Sequence, residues 1–484
     1  MAEYEVIVGD RKKRVIMFPF MAHGHLNPFM ALAEKLVRRG SCTITIVNTP
    51  WNIQTLKSSF PPDSKTNISF AEIPFNSARY GLPVNAENMG ELSPELSTRF
   101  LEASENLEPH FRNLLISITE KEGKAPACII SDMFLGWTIK VANELGIFHS
   151  VFIAGAGYGM GIYFSLSLNI SQRENGEEFS LLDFPEASRI HQTQLGGEFK
   201  YSDETVSWFC FRERQFLFCL SSDAILLNSI PELDGMGAKY FHRKTRGKPI
   251  YMVGPICSSP KRASQFPDDF SAWLDLHPPG SVLYVCFGSQ FTILPSQMRE
   301  LAKGLEESGV GFIWVIRPPV GFSVTEEINP EWLPDGFQDR IRSRNQGILI
   351  YKWAPQVEIL RHKSTGGFLS HCGWNSVLES LCNGVPIIGW PLEGEQRFNS
   401  NFLEKEVGVC LEMARGTESA TIKCDDVART IKMAMGQTEK GEEMRRKALE
   451  IKKKMEDAIQ ERDGFKGSSV QAMDEFLSIA TSTR

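Results

Sequence analysis

Residues 366–390 read GGFLSHCGWNSVLESLCNGVPIIGW, and the order of residue types in them decides the fold. GGFLS is an apolar run of strand length, and HCG is a short polar loop. WNSVLESLCNG has helical spacing and is closed by Gly384, and GVPIIGW is apolar again. Strand, loop, helix, strand is the unit of a parallel sheet, because parallel neighbours need a crossover and a helix provides one.

Three chemistries compete for the loop. His371 and Cys372 offer metal-ligand atoms, Cys372 beside His371 offers a nucleophile with a base, and a Gly-containing turn before a helix offers a phosphate seat. Adjacent residues seldom ligate one ion, and no second Cys/His pair lies at zinc spacing. Sequence neighbours at a strand end point in different directions, so Cys372 reads as a small residue filling a tight turn. The anion reading suits the context: main-chain N–H groups and the helix dipole accept phosphate at such a terminus. Asn375, Ser376 and His371 add side-chain donors, Gly373 lets the backbone approach closely, and Glu379 can accept from ribose hydroxyls. On these residues alone, plain helix capping by Asn375 and Ser376 stays open as an alternative.

The same unit recurs in both directions along the chain. SVLYVCFGS (281–289), PSQMRELAKGLEESG (295–309) and GFIWVIRP (311–318) read strand, helix, strand, and GILIYKW (347–353) adds a further strand. Near the N-terminus, RVIMFPF (14–20), MAHGHLN (21–27), PFMALAEKLVRRG (28–40) and CTITIVNT (42–49) repeat the order, with Asn27 as predicted N-cap and Pro28 as first helical residue. The fold class is therefore α/β, with two doubly wound, Rossmann-like domains. The expected boundaries are an N-terminal domain at 1–245, a Pro/Gly/basic linker at 246–262, a second domain at 263–460, and a C-terminal helix at 461–484 packing back on the first domain.

Composition excludes several classes. The 484 residues are 42% hydrophobic with a net charge of -7, so no basic excess points to nucleic acid. No secretory signal opens the chain, and the ten cysteines contain no CxxC pair. A cytoplasmic, reduced protein is expected. The uncharged stretch VFIAGAGYGMGIYFSLSLNI (151–170) has too many glycines for a membrane span and reads as strand, glycine turn and buried helix. Its GAGYGMG never makes G-x-G-x-x-G, which counts against a nicotinamide-dependent oxidoreductase.

From Trp353 to Gln396, WAPQ, HCGWNS, GVP and the closing Glu-Gln pair resemble the signature box of plant secondary-product UDP-glycosyltransferases. GHLNP (24–28), ISDMFLGW (130–137), VGPI (253–256) and YVCFGS (284–289) extend the resemblance over the whole chain. It implies a GT-B fold, with the two domains facing a cleft. It also implies Trp353 stacked on uracil with the Ala354 backbone pairing to it, and Gln356 and Glu379 on the ribose. Ser289, His371, Asn375 and Ser376 would hold the pyrophosphate, and Trp374, Glu395 and Gln396 the sugar. UDP-glucose is the first-choice donor. Arg397 and Glu393 depart from the family's usual pattern and leave the sugar contacts open.

For chemistry, the loop MAHGHLN supplies His23 and His25, and Asp132 ends the strand ACIISD. The resemblance selects His25 as the base that activates the acceptor hydroxyl, with Asp132 orienting it. His23 reads as a solvated loop residue or a wall of the acceptor entrance. A base without a carboxylate nucleophile implies direct displacement with inversion. The chain has no Asp-x-Asp triplet, so neither metal nor cofactor is expected, the UDP-sugar being a cosubstrate. The expected partners are that donor and a small lipophilic acceptor, flavonoid, other phenolic or terpenoid, bound along 75–90, 155–169 and 183–200. A monomer is expected. The alternatives are a nucleotide-sugar binder without turnover, against which retention of both His25 and Asp132 counts, and a transferase using UDP-galactose, UDP-xylose or another donor.

Overall fold

The computed structural model describes residues 12–40, 42–59, 67–169, 176–200, 206–257, 268–320, 322, 329–351, 354–417 and 422–482. Thirteen strands build two main sheets. The first seven are β1 (Lys13–Phe18), β2 (Cys42–Asn48), β3 (Ile68–Glu72), β4 (Cys128–Asp132), β5 (Phe148–Ile153), β6 (Ala224–Leu227) and β7 (Ile250–Met252). They run in the order β3-β2-β1-β4-β5-β6-β7, and β1 through β5 pair in parallel. The other six are β8 (Val282–Cys286), β9 (Gly311–Val315), β10 (Gly347–Ile350), β11 (Thr365–Ser370), β12 (Ile387–Gly389) and β13 (Cys410–Glu412). Their order is β10-β9-β8-β11-β12-β13, all parallel. Strands flanked by helices on both faces bury both sets of side chains, and β4, β8 and β11 are accordingly buried at every position.

The chain divides into two compact units: the described residues of Met1–Phe152, Arg214–Leu226 and Gln471–Arg484, and those of Ile153–Glu213 and Leu227–Val470. In the first, the C-terminal helix Ser468–Ala480 carries Asp474, which accepts from Nε and Nη2 of Arg39 at 2.7 and 2.9 Å. In the second, the core joins Leu283, Val285, Trp314, Leu369 and Ile388 from the sheet, with Trp390 just after it, to Leu301, Leu305, Val427 and Ile431 from its helices.

Most predicted elements match, including the strand, turn and helix at 151–169: β5 ends at Ile153 and a buried helix spans Gly157–Asn169. The first helix does not match. It runs His23–Arg38 with Ala22 as N-cap and Pro28 inside, ahead of the Asn27 and Pro28 start. A proline forfeits one helical hydrogen bond. Here the extra turn is closed by the N–H groups of His25 and Leu26 donating to the Ala22 carbonyl at 2.9 Å, and Leu26 is buried. His23 and His25 therefore belong to a helix's first turn, not to a loop.

Candidate active site

In the first sheet the strand order turns at β1 and β4, which pair through Phe18 and Ser131. Such a switch point opens a crevice at the strands' carboxyl ends. Asp132 closes β4 and is 1% exposed, and the helix that follows β1 brings His25 to it. His25 Nδ1 lies 2.7 Å from Asp132 Oδ2. The other carboxylate oxygen accepts from the Phe134 N–H at 3.0 Å, so the carboxylate is held on both sides. Phe20 and Phe134 flank the imidazole, with ring centroids 5.7 and 5.6 Å away. With Nδ1 donating its hydrogen to the carboxylate, Nε2 is the basic nitrogen. His23 is half-buried and meets Trp51 edge-on at 6.3 Å.

The second sheet turns at β8 and β11, which pair through Cys286 and Ser370. The two loops that follow are shaped by conformations few side chains allow. Gly288 has φ +77° and Cys372 φ +61°, and the buried Cys372 has its carbonyl held by the Asn399 amide at 3.1 Å. The imidazole of His371 rests against both glycines. A Cβ at Gly288 would come within 2.7 Å of Nε2, and one at Gly373 within 2.4 Å. Nδ1 of that ring is buried without a hydrogen-bond partner. Burial, and secondarily the Arg317 guanidinium, pull the His371 pKa down to about 4, so the ring is neutral at physiological pH. Arg317, which sequence reasoning passed over, also holds the Gly288 carbonyl at 3.1 Å. A charged residue placed directly after the apolar run GFIWVI was the available sign.

Helix Trp374–Cys382 starts with Gly373 as N-cap and has no side-chain cap, leaving first-turn N–H groups for another acceptor. Gln356 ties its base together, donating to Glu379 at 2.6 Å and to Ser376 at 3.1 Å. It also accepts from the buried Tyr284 hydroxyl at 3.4 Å. Burial raises the Glu379 pKa to about 7, with Gln356 opposing. Asn375 is half-buried in the first turn, Ala354 is buried, and Ser289 is exposed after Gly288.

Around the residues expected to meet the sugar the side chains are partly committed. The Trp374 indole N–H donates to the Asn228 carbonyl at 2.6 Å, and the residue is 3% exposed. Gln396 Oε1 accepts from the N–H groups of Leu392 and Glu393 at 3.1 and 3.2 Å, which leaves the amide N–H2 as donor. Glu393 and Glu395 are half-buried. Arg397 is buried, with Nη1 and Nη2 on the carbonyls of Leu195 and Leu392. Trp353 lies outside the described residues.

Comparison with known proteins decides what carries such a pair of switch points. The chain is 45% identical over 478 residues, 96% of its length and 97% of the other's, to UDP-glycosyltransferase 92A1 of Arabidopsis thaliana. It belongs to the plant UDP-glycosyltransferases. The family pattern of UDP-glucoronosyl and UDP-glucosyl transferases matches residues 249–448. Crocetin glucosyltransferase 3 of Crocus sativus is 37% identical over 437 residues, covering 85% of this chain and 89% of that protein. The structure of Phytolacca americana UGT2 complexed with UDP-2fluoro-glucose and pterostilbene superposes with a TM-score of 0.80 at 28% identity, over 97% of this chain and 100% of that one. The resemblance read from the sequence therefore holds, and the two parallel-sheet units are those of the GT-B fold. As a UDP-glycosyltransferase, the protein is an enzyme of UDP-sugar-dependent glycosyl transfer. No helix among its described residues is long and apolar enough to cross a membrane.

Proposed function

We propose that the enzyme moves glucose from UDP-glucose to a hydroxyl of a small lipophilic acceptor, with inversion. The observation that carries this reading is the 2.7 Å contact between His25 and the buried Asp132 at a sheet's switch point. His25 Nε2 takes the hydroxyl proton as the oxygen attacks the anomeric carbon. The bond from that carbon to the β-phosphate oxygen breaks, and its electron pair leaves with UDP. Asp132 holds the ring and offsets the positive charge it acquires.

Departure of UDP needs its growing negative charge met. Ser289, Asn375, Ser376 and a neutral His371 donate to the pyrophosphate at the uncapped helix start, and Gly373 permits the approach. Trp353 and Ala354 take uracil, and Gln356 with Glu379 takes the ribose. With its indole committed, Trp374 offers the sugar its main-chain N–H, beside Glu395 and the free amide hydrogens of Gln396. No metal is required in this scheme. The acceptor is a flat phenolic or terpenoid hydroxyl compound, in keeping with the apolar helix Gly157–Asn169.

Purified protein offered UDP-glucose, UDP-galactose, UDP-xylose and UDP-glucuronate against flavonols, simple phenols and triterpenoids tests the reading by product mass. A β-glucoside formed from the α-configured UDP-glucose is expected. Transfer from another donor in preference, or an α-linked product, would overturn the donor or the inverting step respectively.

A further inference from the structure

Arg212 is a large buried cation that the transfer scheme leaves unused. It is 0% exposed, on the helix Val206–Ser221. Four aromatic rings surround its guanidinium: Phe199 at 4.5 Å, Tyr163 at 5.0 Å, Trp208 at 5.5 Å and Phe209 at 5.7 Å. A fully buried arginine is rare without a carboxylate, because the desolvation of a cation costs several kcal/mol. Among the described residues no carboxylate pairs with it. Its one hydrogen bond goes from Nη1 to the Tyr163 hydroxyl at 3.1 Å.

The unpartnered atoms are Nε and Nη2. In a guanidinium these two carry parallel N–H bonds on the edge opposite Nη1, the two-pronged edge that matches the two oxygens of a carboxylate. Two of the surrounding rings, Trp208 and Phe209, are only half-buried and so border solvent. Its other side adjoins the donor machinery. Phe398, in the helix that begins at Gln396, packs on Phe199 and Tyr163 at 6.3 and 6.4 Å.

We infer that the Nε–Nη2 edge of Arg212 seats the carboxylate of an acceptor with a flat apolar body, making this a transferase for hydroxy acids. The inference rests on the transfer reading above and narrows its acceptor class. The carboxylate is a handle and is not consumed; a hydroxyl elsewhere on the same molecule receives the sugar. Aromatic walls favour a weakly hydrated organic monoanion over phosphate or sulfate, and they accept its planar skeleton by stacking.

The test pairs 4-hydroxycinnamic acid with its methyl ester, both offered with UDP-glucose. The wild type should prefer the acid. The acid-to-ester ratio of kcat/KM should fall about 30-fold in Arg212→Met, the size of a charge-assisted hydrogen-bonded contact. Arg212→Lys, which keeps the charge without the fork, should recover part of the ratio. An Arg212 that only cross-braces aromatic rings would lower both rates and leave the ratio alone, and that result would overturn the proposal. A thermal-shift titration without any UDP-sugar separates the two readings: the acid, and not the ester, should raise the wild-type Tm, and Arg212→Met should abolish the rise. No glycoside from either compound with the acid still raising Tm would sink the glucose-transfer reading and keep the carboxylate seat. Equal responses to acid and ester in both measurements would sink the seat itself.

Discussion

Two histidines sit at the two switch points of this enzyme and meet opposite surroundings. His25 leans on a buried carboxylate at 2.7 Å. His371 has two glycines against its ring, an arginine nearby and a buried Nδ1 without a partner, and its pKa is driven down to about 4. A carboxylate partner suits an imidazole to take a proton. Burial beside a cation suits it to remain neutral and donate a hydrogen bond. In the proposed scheme one backbone plan, a loop leaving the carboxyl end of the strand where sheet order turns, serves base chemistry in one unit and anion binding in the other. What separates the roles is the surroundings: the Asp132 carboxylate beside His25, and burial with, secondarily, the Arg317 guanidinium at His371.

The comparison breaks most visibly at the base. His25→Ala should lower kcat with UDP-glucose and a phenolic acceptor about 10³-fold in initial-rate assays; a loss below tenfold would remove His25 from the chemistry. Asp132→Asn keeps the shape and removes the charge, and kcat should fall about 10²-fold. Near-normal turnover would show that the carboxylate only packs.

The donor side should respond in affinity. In Gly373→Ala the new Cβ lies 2.4 Å from His371 Nε2, so the ring must move, and UDP-glucose binding should weaken about tenfold by calorimetry. Unchanged affinity would mean that His371 is not a phosphate donor. The smallest effect concerns pH. Ribose hydroxyls donate, so they favour ionised Glu379, whose pKa is raised to about 7. Below that pH the carboxyl is protonated and must first lose its proton. UDP-glucose, whose pyrophosphate does not titrate near neutrality, should bind about threefold more tightly as pH rises from about 6 to about 8. Glu379→Gln should flatten the profile, and an equal slope in that variant would assign the titration elsewhere.

Much of this was legible in the sequence because it rests on local patterns. Apolar runs of strand length, glycine stops and helical spacing gave both sheets, and the short loop HCG before WNSVLES marked the proposed anion seat. The first helix was misplaced because Asn27 and Pro28 are strong start signals, and only burial of Leu26 shows that another turn precedes them. His25 and Asp132 are far apart in the chain, and residue types alone left His23 as a rival; the family resemblance made the choice. The neutral state of His371 depends on Arg317 and on burial, neither of which a local motif encodes. The same is true of the Trp374 indole turned to a backbone carbonyl, and of Arg212, an arginine in an aromatic-rich helix whose missing partner is visible only in three dimensions.

The division of labour between the two histidines is tested most directly by titrating UDP-glucose into His25→Ala beside the wild type. The same Kd within about twofold is expected in a protein whose turnover has collapsed. A Kd that rises in step with the loss of turnover would mean that His25 helps hold the donor, and that the two switch points do not divide the work.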